Sequence, residues 1–250
     1  MTIVATVWKS RVVKAILLIN PHNPLGSVYS PELLLEIFSF CNEHNLHVIV
    51  DEVYALSTFS EGPQFHSTLK FPDLPNKEKV HVLYGISKDF GSAGLRVGAI
   101  YTRNEALQNC LKELSAFQTI PFPIMDIAAR LIGDLEWCKS YLAENKQRLS
   151  ERFKFCAERL KKLGLTVHQS FAGFSLWVDF KSICGSESFE QEEDLFLYLL
   201  ENARLFIVPG KQSFCEQPGW FRINFTYGSD YVNKGLTRKR LGIEINLRVR

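Results

Sequence analysis

The sequence predicts an α/β protein: a mainly parallel sheet in the first part of the chain, followed by a smaller C-terminal α+β region. Short apolar, β-branched runs alternate with a helix-patterned segment, the order that builds a parallel layer. Each run stops at polar residues, and ligands of such sheets gather beyond the carboxyl ends of the strands. Farther on, a long charged helical stretch leads to a second group of short strands.

Val12 to Ile19 (VVKAILLI) ends at Asn20-Pro21 and reads as a strand covered on both faces. Ser30-Pro31-Glu32 then supplies an N-cap, a first-turn proline and an early acid, and Leu33, Leu34, Ile37, Phe38 and Cys41 recur at helical spacing as far as Asn45. Leu46 to Val50 is a second strand ending at Asp51, and Val80 to Tyr84 a third ending at Gly85-Ile86-Ser87-Lys88. Val97 to Tyr101 reads as a further strand and Glu105 to Phe117 as a helix. Two prolines between Gln118 and Ile124 mark a loop, with helical spacing returning at Asp126. Leu135 to Leu163 reads as one long or once-broken helix closing at Gly164. Short strands follow at Leu165 to His168, Phe174 to Asp179, Leu205 to Val208 and Phe221 to Phe225, with a helix around Glu192 to Asn202. The expected division is 1–140 for a larger domain and 141–250 for a smaller one entered through the long helix.

Composition bounds the function classes. With 46% apolar and 22% charged residues among 250, the chain has ordinary globular composition. Lys plus Arg number 29 against 27 Asp plus Glu, a net charge of +2 that offers no broad field for a nucleic-acid backbone or an anionic membrane. No apolar run approaches the length of a membrane span, and no secretory or transit signal is evident. Cys41, Cys110, Cys138, Cys156, Cys184 and Cys215 are scattered, and the six histidines show no ligand spacing, so no metal site is expected and a reducing, cytoplasmic compartment fits.

Lys88 is the chemical centre. It lies in SKDFGSAGLRVG, Ser87 to Gly98, just after an apolar strand and among small residues. A lysine that attacks an aldehyde needs shelter from bulk water and a neighbouring cationic field, which Arg96 could supply. The same small residues would let Ser87 and backbone amides approach a phosphate, with Arg96 as counter-ion. Alone, a lysine in a glycine-rich loop is ordinarily a solvated residue; its companions alter that reading. Asp51, at a strand end, could keep a pyridinium nitrogen protonated, and Tyr54 could donate to a ring oxygen. Asn23 sits in NPHNPLG, where two Asn-Pro steps predict a rigid extended turn. Arg222, between Phe221 and Ile223, is either a solvated edge residue or a paired one whose apolar neighbours would make an unpaired charge costly.

These motifs, NPHNPLG, DEVY at Asp51 to Tyr54, SKDFGSAGLRVG and PGWFRINF at Pro218 to Phe225, resemble the class I/II aminotransferases, pyridoxal-phosphate enzymes of fold type I. Within them the chain is most similar to the 1-aminocyclopropane-1-carboxylate synthase-like branch. The resemblance implies part of a three-layer α/β/α large domain plus the small domain, and a transaminase or lyase acting on an α-amino acid. It implies that Lys88 forms the cofactor Schiff base and shuttles a proton, that Asp51 pairs with the ring nitrogen, and that Asn23 and Tyr54 bond the ring's phenolic oxygen. Ser87 and Arg96 would hold the phosphate, and Arg222, with Asn23, the substrate carboxylate. A homodimer of the full-length parent is implied as well.

Two departures qualify these expectations. The family usually has a serine three residues before the lysine, and here that position is Gly85, a loss of about 1.5 to 3 kcal/mol of phosphate binding if nothing replaces it. The family also carries a long portion before the NPxNPxG turn, so the chain reads as N-terminally truncated, with little turnover expected of it alone. A non-catalytic protein that keeps the fold as a binding or scaffolding partner is the alternative. The basic residues Lys234, Arg238, Lys239, Arg240, Arg248 and Arg250 read as a solvated tail.

Overall fold

A computed structural model describes residues 12–59, 62–185, 187–228, 230 and 232–235. The first sheet holds β1 (Ala15–Ile19), β2 (His47–Asp51), β3 (Val80–Gly85) and β4 (Gly98–Thr102) in that order. β1, β2 and β3 are parallel, whereas β4 runs antiparallel to β3. Register aligns the strand ends, with Ile19 opposite Asp51 and Asp51 opposite Leu83, so the turns after β1, β2 and β3 open on one edge. Asn23, Tyr54, Ser87 and Lys88 follow the strands at that edge.

Helix α1 (Pro31–Glu43) forms where expected, because the Ser30 Oγ accepts the Leu33 N–H at 3.2 Å and Pro31 needs no donor in the first turn. Its apolar stripe, Leu34, Ile37, Phe38 and Cys41, packs on Leu18, Val48, Val50 and Val80. β1 corrects one expectation. Among the described residues it is an edge strand; Leu18 is buried against α1 while Leu17, on the opposite face, is 60% exposed. An all-apolar run shows that both faces could be covered, not that both are.

α2 (Ile86–Asp89), α3 (Glu105–Ser115), α4 (Phe122–Gly133) and α5 (Leu135–Lys162) follow. α4 begins before the expected Asp126, since Pro123 lies in its first turn, where the missing N–H costs nothing. α5 runs unbroken for 28 residues from the Asp134 cap, whose side chain accepts the Trp137 N–H at 2.9 Å.

The second sheet contains β5 (Thr166–Val167), β6 (Ser175–Asp179), β7 (Val208–Pro209) and β8 (Trp220–Asn224) in the order β5-β6-β8-β7, all antiparallel neighbours. The strand expected at Leu205 to Val208 is instead found at Val208–Pro209, after an irregular stretch at residues 203–207. α6 (Lys181–Cys184) and α7 (Phe189–Asn202) precede β7. Leu149, Cys156, Ala157 and Leu160 of α5 join Leu176, Val178, Leu195, Leu199, Phe221 and Phe225 in one apolar core. The basic tail beyond residue 235 lies outside the described residues, as does the start of the Val12 run's preceding segment.

Residues 170–173 join the two halves. Phe171 N–H donates to Gly26 O at 2.9 Å, Ser170 Oγ to Leu25 O at 2.8 Å, and Gly173 N–H to Ser57 O at 3.0 Å. A Cβ on Gly26 would stand 2.5 Å from the Ala172 carbonyl oxygen, and its φ of +65° lies in the left-handed region. Both the close approach and the backbone conformation require glycine there.

Candidate functional site

The end of β2 and the turn at residues 53–56 send neighbouring side chains to different duties. Asp51 lines the cavity edge, its Oδ1 accepting the Val53 N–H at 3.0 Å. Glu52 is buried and accepts from Ser67 Oγ and Thr68 N–H, each at 2.7 Å, which fixes the following loop. Tyr54 is buried as well, with Phe174 packed edge-on at 5.3 Å. Burial pushes its phenol above the ordinary range; Asp51 and Asp89 add to the rise and Arg222 opposes it.

Asn23 lies in a compact turn rather than the extended one expected. His22 N–H donates to Ser27 O and Gly26 N–H to His22 O, both at 2.8 Å, a reversal that the positive φ of Gly26 permits. Lys88, on α2 directly after β3, places Nζ 5.9 Å from the centroid of the Tyr54 ring.

Arg222 is on β8, an interior strand of the second sheet, opposite Trp177 of β6 and Val208 of β7. The edge reading is thus overturned. Its Nη1 donates to Asn23 Oδ1 at 3.5 Å, a long contact that spans the two halves. Asn23, Tyr54, Lys88 and Arg222 line one cavity of about 360 Å³, whose remaining wall includes Phe174, Leu176 and Ile207.

Asp51, Ser87 and Arg96 line a separate, neighbouring cavity of about 240 Å³ together with Gly85 and Gly98. All seven residues singled out from the sequence are therefore gathered in two adjoining spaces, but Arg96 and Lys88 do not share one. Arg96 is exposed, with Nη1 donating to Ala93 O at 3.2 Å.

Gly85 has a physical cause. It pairs with Gly98 across β3 and β4, and a Cβ at Gly85 would stand 3.3 Å from the Val97 carbonyl oxygen. A larger residue requires the strands to part by a few tenths of an ångström. Sequence reading missed Asp89, the residue after Lys88, which is fully buried beneath the site. In sequence it resembles any acid at the end of a short helix, and nothing in its spacing marks it.

Among the described residues, no group of three or more His, Cys, Asp or Glu side chains is placed to hold a metal ion, and no helix is long and apolar enough to cross a membrane.

The architecture matches solved structures. An aromatic aminotransferase from Pyrococcus horikoshii OT3 superimposes with a TM-score of 0.81 at 23% identity, over 93% of this chain and 60% of that one. A PLP-bound protein from Clostridium difficile 630 gives 0.72 at 22% identity, over 92% and 58%. Among curated relatives, the mouse 1-aminocyclopropane-1-carboxylate synthase-like protein 1 is 38% identical over 233 residues, 93% of this chain and 46% of its own length. A human relative named "Probable inactive 1-aminocyclopropane-1-carboxylate synthase-like protein 2" is 38% identical over 214 residues, 85% of this chain and 38% of its own. The chain thus spans about half the length of the curated relatives it matches. Residues 5–238 match the family model for aminotransferase class I and II, so the chain belongs to the class I and II aminotransferases.

Proposed function

We propose that the chain carries the lysine-bearing part of a pyridoxal-phosphate site and acts on an α-amino acid. The observation that carries this reading is the gathering of an amine and a phenol with Arg222 of β8 in one cavity, and of a carboxylate and a hydroxyl in the neighbouring one, at the ends of β2 and β3. The donor set offers a partner for each polar group of the cofactor, save the phosphate-binding serine that Gly85 replaces. When bound, pyridoxal phosphate supplies an aldehyde carbon and a ring that takes up the electrons released at a substrate Cα.

In this reading Lys88 Nζ would hold the cofactor at its aldehyde carbon and, once the substrate's amine has displaced it from that carbon, would be free to take and return the Cα proton as general base and acid. Asp51 keeps the ring nitrogen protonated. Tyr54 stays a phenol because burial raises it, and donates to the ring's phenolic oxygen. Asn23 gives its carbonyl oxygen to Arg222, which reserves its NH2 for that same ring oxygen. Ser87 and Arg96 hold the phosphate, and Arg222 grips the substrate carboxylate with two parallel N–H donors. Transamination and elimination both begin with removal of the same proton, so both belong to this reading. We place the domain division at 1–140 and 141–250 and take the working form of the full-length protein to be a cytoplasmic homodimer.

One observation favours a second reading, a protein that binds through the fold without turnover: the Gly85 to Val97 approach leaves little room for the phosphate-binding serine of the family. The visible absorption spectrum after adding pyridoxal phosphate separates the two. A band in the parent chain that is missing in Lys88→Ala supports the enzyme reading, and identical spectra for both proteins would leave only the binding one.

A further inference from the structure

Asp89 has no part in the assembly just described, although it follows Lys88 directly. It is 0% exposed, and its carboxylate accepts three hydrogen bonds: from Ser57 Oγ at 2.6 Å, Leu56 N–H at 3.0 Å and Tyr84 Oη at 3.1 Å. Two donors belong to the loop that carries Tyr54, and the third to the end of β3. One buried group therefore ties three segments together.

Helix α2 needs such a tie. It has four residues and no side-chain N-cap, far below the length at which a helix holds itself in water. Successive residues on a helix leave its axis about 100° apart, so Lys88 lines the cavity while Asp89 turns into the protein. A buried carboxylate is a stringent anchor, because releasing any donor leaves charge without solvent.

We propose that Asp89 is a positioning residue for the lysine: its carboxylate clamps helix α2 to the loop bearing Tyr54 and so fixes Lys88 Nζ beside the phenol ring. The functional weight of this inference rests on reading Lys88 as the reactive amine. The groups facing Asp89 are Tyr84 from β3, Tyr54 and Ser57 from the loop and Tyr141 from α5; Lys88, on its own helix, lines the cavity instead, and Cys138 of α5 lies near Tyr84. Burial pushes the Asp89 carboxyl up, and the donations from Ser57, Leu56 and Tyr84 pull it back down. Its field also contributes to the raised phenols of Tyr54, Tyr84 and Tyr141, each raised first by burial.

The test uses the whole chain without cofactor. Reductive methylation with formaldehyde and cyanoborohydride, followed by peptide mass mapping, reads the labelling rate of Lys88 against exposed Lys112. Asp89→Asn keeps the shape but removes the charge, and is expected to raise that ratio about fivefold, the scale of one net hydrogen bond. Ser57→Ala is expected to raise it by a smaller factor. Phenolate absorbance, assigned to Tyr54 by difference against Tyr54→Phe, is expected to titrate at lower pH in Asp89→Asn and at unchanged pH in Ser57→Ala.

A folded Asp89→Asn chain with an unchanged labelling ratio and an unchanged Tyr54 midpoint would overturn the proposal, even if it melts earlier. Should that variant not fold, Ser57→Ala and Tyr84→Phe decide, and unaltered labelling in both overturns it. Failure of the parent chain to take up pyridoxal phosphate would sink the reading of the site while leaving these cofactor-free measurements standing.

Discussion

Arg222 is held between Trp177 and Val208 on the two flanking strands, so only its guanidinium end is directed to other work, and there it meets Asn23. A lysine could place charge at that position but not a planar pair of donors. Arg222→Lys is therefore expected to weaken amino-acid binding about tenfold or more, as measured by titration of the cofactor-loaded protein, with cofactor affinity nearly unchanged. Equal loss of both would contradict the role given to it. At this scale the sequence was highly legible: Lys88, Asp51, Tyr54, Asn23, Ser87, Arg96 and Arg222 all line the two adjoining cavities. What it did not reveal is that Arg96 and Lys88 face different spaces, because eight residues containing Gly91 and Gly94 can turn in many ways. Asp89 stayed hidden because two of its three partners lie 32 and 33 residues away, at Ser57 and Leu56, and no local pattern encodes them.

Elements whose signals are local formed as the sequence predicts. Ser30 caps α1 through one hydrogen bond to Leu33, so Ser30→Ala is expected to cost about 1 kcal/mol in a denaturant unfolding measurement. Gly26 carries a different burden, since it meets Ala172 and Ser170 as well as adopting a positive φ. Gly26→Ala is expected to destabilise by more than a cap does, roughly 1 to 3 kcal/mol, and to lower cofactor affinity by displacing Asn23. Unchanged stability in that variant would show that the contact between residues 26 and 172 is slack. The outer face of β1 and the start of α4 were misread for one shared reason. Apolar runs and prolines report what a segment tolerates, whereas exposure and exact starts depend on what packs against it.

Across the whole molecule, three histidines point to an acid limit. Burial lowers His22, His81 and His168 from the ordinary imidazole range; His168 lowers His22 further, and His47 lowers His81. His81 also sits in a chain of contacts, 2.9 Å from His47 and 2.7 Å from the Thr102 hydroxyl. In each of the three the fold disfavours the charged form, so as pH falls through about 6.5 the unfolded chain takes up protons before the folded one. The stability they contribute is complete above that pH and is lost as pH falls toward their lowered folded values. Thermal melts between pH 7 and 5 are expected to show a falling midpoint, less steeply in His81→Gln. A flat profile would contradict this account of the buried imidazoles.

The most direct measurement loads the chain with pyridoxal phosphate, reduces it with borohydride and maps the modified peptide. The site described here predicts a pyridoxyl group on Lys88 and its loss in Lys88→Ala. Label spread over exposed lysines, or the same label in both proteins, would contradict it.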